Sequence, residues 1–205
     1  MSERYKLTSY TAGPIEHATS DEMTTWRDEV SVLLKCPELL IYDPVGQESA
    51  KVGKPSGKQV EYIRGLKKAG KYDLFYNELW KIWFGSISKN TDLVQLLTNL
   101  RMRKHIDGNH KHELSYWGDT EAVVRSDFIL MYIPKNTKTV GTIWEQFIAM
   151  LFRIPIYLIL PDDNKTEANS TMLFGVQISG GEIFYNVKDC CKFVIEKYSL
   201  NIIKQ

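Results

Sequence analysis

Three acidic residues have the type and spacing to act on a covalent bond. Glu145 lies in the run Val140-Gly141-Thr142-Ile143-Trp144-Glu145, about one turn inside a helix that opens after Gly141. Near the unsatisfied amides and the positive end of the helix dipole, its carboxylate is expected to be ionised, which suits a nucleophile. The same position is also ordinary for an acid that only complements the dipole. Asp119 precedes a short helix that feeds the apolar stretch 128–133, and Asp127 stands at the start of that stretch. A carboxylate at a strand's amino end is on the wrong rim for a site, so Asp127 reads as a structural cap.

These residues must be positioned by the elements around them. A β-prone run over residues 6–12 is stopped by Gly13-Pro14. A capping box, Thr19 with Glu22, opens a helix whose Met23, Trp26, Val30, Leu33 and Leu34 share one face. Residues 39–42 form a second apolar strand closed by Asp43-Pro44, so the chain begins strand, helix, strand, as α/β folds do. Residues 46–58 are polar and glycine-bearing and read as a long loop. Helical stretches are expected near 59–68, 74–84 and 92–104, the middle one carrying Phe75, Tyr76, Trp80, Trp83 and Phe84 as packing against the sheet.

The alternation resumes with a helix over 119–125 and the strand 128–133, apolar on both faces as a central parallel strand requires. A helix from about residue 140 is expected to bury Ile143, Phe147, Ile148 and Leu151. A strand over 155–160, a weak strand over 182–185 and a last helix with Val187, Cys190, Cys191, Val194, Ile195 and Tyr198 on one stripe complete the unit. Right-handed crossovers and the common strand order 2-1-3-4-5 would bring the loops 13–20 and 135–139 face to face, at the point where ligands bind such sheets.

Two sets of residues carry a family resemblance. Ser9-Tyr10-Thr11-Ala12-Gly13-Pro14-Ile15, Trp26-Arg27 and Tyr42-Asp43-Pro44 form the first; 119–127, 128–134 and 140–145 form the second. Together, over roughly 9–48 and 117–163, the chain resembles the nucleoside 2-deoxyribosyltransferase family. The resemblance implies a single flavodoxin-like (Rossmann-like) α/β domain spanning 1–205, a parallel sheet with flanking helices and a helical insertion between strands 2 and 3 at about 46–116. It implies that Glu145 attacks the anomeric carbon of deoxyribose, that Asp119 engages and protonates the base, and that Tyr10 orients the nucleophile or sugar. One carboxylate thereby splits a hard displacement into two easier ones. Gly13, Pro14, Ile15, Asp43, Gln47 and Gly141 fall in the substrate-binding segments, Gln47 as a reader of the base edge. Some members carry an aspartate that helps hold the sugar where this chain has Thr139. The expected reaction transfers deoxyribose between nucleobases, as in nucleotide salvage; the alternatives are a hydrolase of deoxynucleoside 5′-monophosphates, with Ser9, Thr11, Lys51 and Lys54 as phosphate contacts, and a non-catalytic nucleotide-sensing module. The partners implied are a deoxynucleoside or deoxynucleotide and a free nucleobase, with a second copy of the chain in a homo-oligomer, and no cofactor.

Composition narrows the classes further. The 205 residues carry 26 basic and 25 acidic side chains, a net charge of +1, which is no footprint for a nucleic-acid polymer. Aromatics at 12% exclude a disordered chain. No apolar run is long enough for a membrane span and the first residues lack a signal-peptide core, so a cytoplasmic protein is expected. Three cysteines read as free thiols. The segment Gly53-Lys54-Pro55-Ser56-Gly57-Lys58 lacks the spacing of a phosphate loop. His105, His110 and His112 with Asp107 and Glu113 lie in a soft loop and are not expected to hold a metal. His17, in the Gly-Pro loop, is either a surface residue or a sugar contact, and Asn164 and Asn169 match a glycosylation pattern that an intracellular chain does not use.

Overall fold

The computed structural model describes residues 6–15, 18–54, 58–102, 117–135, 140–161 and 169–203. Five strands, β1 (Leu7–Ala12), β2 (Leu39–Tyr42), β3 (Phe128–Tyr132), β4 (Ile156–Ile159) and β5 (Glu182–Phe184), form one all-parallel sheet in the order β2-β1-β3-β4-β5. The fold is the expected flavodoxin-like α/β sheet flanked by helices. Strand order reverses between β1 and β3, where Ser9 pairs with Phe128 and Ala12 with Met131.

Alternate residues of each central strand enter two cores, which is why these strands read as continuous apolar runs. Phe128, Leu130, Tyr157 and Ile159 pack with Trp26, Val30 and Leu34 of α1 (Ser20–Leu33 and its cap), and with Cys190, Cys191 and Val194 of the C-terminal helix (Val187–Tyr198). Ile129, Met131, Ile156 and Leu158 face the other way, onto α6 (Asp119–Arg125), α7 (Val140–Leu151) and α8 (Ser170–Ser179). The last helix is therefore α9. The Thr19–Glu22 capping box that starts α1 is formed, and all three cysteines are buried and free.

Between β2 and β3 the chain builds α2 (Pro44–Val52), α3 (Lys58–Lys68), α4 (Tyr72–Phe84) and α5 (Leu93–Met102). The sequence reading of 46–58 as a loop is corrected by α2. Pro44 occupies its first position, where a missing N–H costs nothing, and Asp43 Oδ1 accepts from Val45 N at 3.1 Å. Gly46 and the polar side chains hid a helix whose start was nevertheless written in Asp43-Pro44. Helix α8 also escaped the reading; Asn169, the residue that matched a glycosylation pattern, is its N-cap and accepts from Thr171 N at 2.8 Å.

The aromatic helix α4 does not pack on the sheet as expected. It lies on α2, α3 and α6, and only Ile82 is buried along it. Its carboxyl end presses on Gly118, where a Cβ atom would stand 2.4 Å from both Phe84 N and Trp83 O. Gly118 is in turn the N-cap of α6, so this contact couples α4 to the helix that begins with Asp119. Replacing Gly118 by alanine is expected to lower the free energy of unfolding by about 1–3 kcal/mol, because backbone and not a flexible side chain must move; chemical denaturation monitored by tryptophan fluorescence measures it.

Candidate active site

Residues far apart in sequence meet at the carboxyl edge of the sheet. Tyr10 reaches it from the second half of β1, and Gly13, Pro14 and Ile15 form the turn beyond it. Helix α6 runs back antiparallel to the strand it feeds, so its first residue, Asp119, returns to the same edge. Asp127, at the other end, instead accepts from Thr8 N at 2.9 Å and fastens the amino ends of β1 and β3, as a structural cap would. These segments and α7 enclose a cavity of about 180 Å³ lined by Glu48, Asp119, Glu145, Gly141 and Thr142 together with residues of α3 and α4. One water needs roughly 10–15 Å³, so the space suits a small organic molecule.

Glu145 is 5% exposed, and its Oε1 accepts a 2.6 Å hydrogen bond from the Tyr10 hydroxyl. Its Oε2 has no hydrogen-bond partner among the described residues. The expectation that the helix dipole keeps this carboxylate ionised is corrected. Helix α7 begins at Val140, which puts Glu145 beyond the first turn, and burial pushes its pKa up to about 8, reinforced by the charge of Asp119. The Tyr10 hydrogen bond and the Arg27 charge oppose that rise without cancelling it. Tyr10 is itself wholly buried, and burial raises its pKa so that it stays a neutral donor.

Asp119 is also buried, its pKa raised to about 6 by desolvation and restrained by Lys51. Lys51 Nζ stands 3.7 Å from Asp119 Oδ1, an ion-pair distance too long for a direct hydrogen bond, and donates at 2.7 Å to the Tyr42 hydroxyl. The Tyr42 hydroxyl in turn donates to Trp117 O at 3.1 Å, and its ring lies stacked between Tyr10 and Trp117. Lys51 is thus a component of the site rather than a loop cation. A third acid, Glu48, was not singled out by sequence reasoning. It is 6% exposed and lines the cavity, its pKa driven well above normal by burial and by Asp119 against the pull of Lys51. The helical spacing of Glu48 and Lys51 was the available signal, hidden by the reading of α2 as a loop.

The remaining sequence-predicted residues divide by position. Gly13 is required by close approach: a Cβ would lie 2.9 Å from Trp26 Cζ2 and 3.3 Å from Arg27 Nη2. Gly141 has ordinary room for a Cβ, 3.6 Å from Trp83 Cζ2, and lines the cavity beside that indole. Asp43 and Gln47 are not in the cavity wall. Asp43 caps α2 and pairs with Arg27 Nε at 3.3 Å, while Arg27 Nη1 donates to Met23 O, which holds a buried guanidinium under the Gly13 turn. Ser9 and Thr11 are buried in β1 rather than lining the cavity. Thr139, His17 and the group His105, His110, His112, Asp107 and Glu113 lie outside the described residues. Among the described residues the three cavity acids do not converge as a metal-binding cluster.

No protein-family model and no curated protein matches this chain.

The protonation of Glu145 leaves a signature in stability. Its pKa is higher folded than unfolded, so its contribution is fully present below about pH 4.5 and is lost as pH rises to about 8. Glu145→Gln removes that loss. The variant is expected to gain about 2–4 kcal/mol relative to wild type between pH 5 and 8.5, read from denaturation curves across that range.

Proposed function

We propose that the protein cleaves the N-glycosidic bond of 2′-deoxynucleosides and transfers the sugar to another nucleobase, with Glu145 as nucleophile. The observation that carries this reading is the 2.6 Å bond from Tyr10 to Glu145 in a cavity that also holds Asp119. Three separate segments supply these groups, Tyr10 more than a hundred residues before the other two, and the two that matter for the chemistry are acids with different affinities for a proton.

The displacement needs one carboxylate ionised and one acid protonated. With values near 6 and 8 the two acids together hold one proton around neutrality. In the resting site that proton favours Glu145. A base nitrogen hydrogen-bonded to Asp119, and positive charge developing at C1′ beside Glu145, both favour the productive arrangement with the proton on Asp119. Glu145 Oε2, the oxygen that Tyr10 does not hold, then forms a bond to C1′ as the C1′–N bond breaks. The electron pair left on the base takes the proton from Asp119. In the second half a nitrogen of the incoming base attacks C1′, releases Glu145 as a carboxylate and returns its proton to Asp119. Neutral Tyr10 keeps Glu145 oriented throughout. A nucleotide-sensing module would have no use for two buried acids with partly unsatisfied oxygens, whose desolvation costs stability.

Assay of 2′-deoxynucleosides with a free acceptor base tests the proposal by chromatography. Base exchange is expected, abolished in Glu145→Ala, with a bell-shaped pH dependence whose limbs fall near 6 and 8. Release of base without exchange would mark a hydrolase, and full activity in Glu145→Ala would remove Glu145 from the chemistry.

The same helix supports a homo-oligomer. On the side of α7 away from Glu145, Val140, Ile143, Trp144, Phe147 and Leu151 are 48–75% exposed, against the expectation that Ile143, Phe147 and Leu151 are buried. No helix of the described residues is long and apolar enough to cross a membrane. Sedimentation velocity is expected to show a dimer or larger species, and Phe147→Glu a monomer; a wild type monomeric at all concentrations would contradict the oligomer.

A further inference from the structure

The cavity has a graded charge that the acids alone do not explain. Glu48, Asp119 and Glu145 are buried, whereas Arg64 is half-buried and Lys67 exposed, and both cations line the same cavity from α3. Val60, Ile63, Arg64 and Lys67 follow the i, i+3, i+4, i+7 spacing that puts four side chains on one face of a helix, so the cations share the cavity-facing stripe with two apolar residues. Glu61 of α3 pairs with Lys58 at 2.9 Å and Glu78 of α4 with Lys81 at 2.8 Å. Arg64 has no carboxylate partner among the described residues. A guanidinium that faces a cavity with Val60, Ile63, Phe75 and Leu79 around it, and without an anion of the protein's own, is a fork for a ligand's anion.

We propose that α3 supplies an anion-binding edge to this cavity, with Arg64 as its principal donor and Lys67 beside it, and that the ligand carries a phosphate or carboxylate at the end nearer solvent. The proposal rests on the reading of the cavity as a nucleoside site, and for such a ligand the anion is the 5′-phosphate of a deoxynucleoside monophosphate. The orientation follows from charge. The one negative charge shared by Asp119 and Glu145 disfavours an anion at the deep end, and the same charge favours a sugar carbon that becomes positive there. A phosphate at α3 and the anomeric carbon at Glu145 satisfy both ends of the gradient at once. Ser9 and Thr11 are buried in the strand, Lys51 is committed to Tyr42 and Asp119, and Lys54 lies over the Tyr62 ring outside the cavity wall, which leaves the cations of α3 for the role that the sequence offered to these four.

Binding decides the matter without turnover. Glu145→Gln is titrated with 2′-deoxynucleosides, their 5′-monophosphates and inorganic phosphate by calorimetry, with Trp83 in the cavity wall as a fluorescent reporter. Monophosphates are expected to bind about tenfold to a hundredfold tighter than the nucleosides, as one charge-assisted contact provides. Adding Arg64→Ala should collapse that preference to near unity, Arg64→Lys should retain part of it, and Lys58→Ala, on the same helix outside the cavity wall, should retain all of it. Circular dichroism and melting confirm that the variants fold. Equal affinity for nucleoside and monophosphate, or a preference that survives Arg64→Ala, overturns the anion edge while leaving the nucleoside reading in place. Inorganic phosphate bound through Arg64 with neither nucleoside nor monophosphate bound supports the edge and overturns the nucleoside reading. No binding of any of the three overturns both.

Discussion

Burying carboxylates at the carboxyl edge of a parallel sheet is the constraint around which this molecule is arranged. A charged group taken out of water must find compensating charge, find hydrogen bonds or give up its ionisation. All three remedies are present. Lys51 stands near Asp119 and restrains the rise in its pKa. Tyr10 gives Glu145 one strong hydrogen bond, and Arg27 adds positive charge from beneath the Gly13 turn. What these do not offset appears as proton affinity, so that Glu145 rests protonated near neutrality. The supporting residues are buried with the acids: Tyr42 is stacked between Tyr10 and Trp117 and gives Lys51 its acceptor. Changing any of them shifts the protonation of the acids as well as the packing.

Much of this was legible in the sequence, and the limits are physical. The strands of the sheet, the 2-1-3-4-5 order and the gathering of Asp119 and Glu145 at its crevice follow from apolar runs and crossovers, because those features are local or obey general topology, whereas Tyr10 beside Glu145 was what the family resemblance implied. Helix α2 was missed because its buried face is made of Glu48 and Ser49 as well as Val45, so few apolar residues mark it, and with it went Glu48 and the true environment of Lys51. Helix α8 was missed for a different reason: apolar residues are spread around it, with Met172 and Val176 buried and Phe174 exposed, so no single face announces it. The ionisation of Glu145 could not be read from its place in a helix. It depends on burial and on a second acid that arrives from elsewhere in the chain. Asp43 and Gln47 sit in a family-like segment, yet α2 turns Glu48 rather than Gln47 to the cavity.

Helix α7 shows how one element serves two environments. Thr142, Glu145, Gln146, Ile148 and Ala149 are buried on one side, and Val140, Ile143, Trp144, Phe147 and Leu151 are exposed on the other. A sequence pattern apolar nearly all round is that of a helix buried nearly all round. The chain alone buries only half of it. The side bearing Glu145 is fixed by Tyr10, by Gln146 Nε2 donating to Met172 O at 2.6 Å, and by the close approach of that amide to Gly175 of α8. The outer side reaches the cavity wall through Val140, and Trp144 there meets the edge of Trp83 with ring centroids 6.5 Å apart.

That indole contact joins α7 to the segment between β2 and β3, which is the least conventional part of the fold. Helices α3 and α4 do not enlarge the core under the sheet; they wall the cavity, and only Leu66 and Ile82 among their large apolar residues besides Val60 are buried. Such a wall has little hydrophobic stabilisation of its own, since burial is what supplies it. Among the contacts that position it is the approach of the carboxyl end of α4 to Gly118, which leaves no room for a Cβ. Gly118 begins the helix whose first residue is Asp119. A displacement of α4 therefore moves the cavity's apolar wall and its acid together, and a ligand that fills the space between α3, α4 and α7 stabilises both. The segment between β2 and β3 supplies the apolar side chains and the cations that wall the cavity in which Glu145 lies.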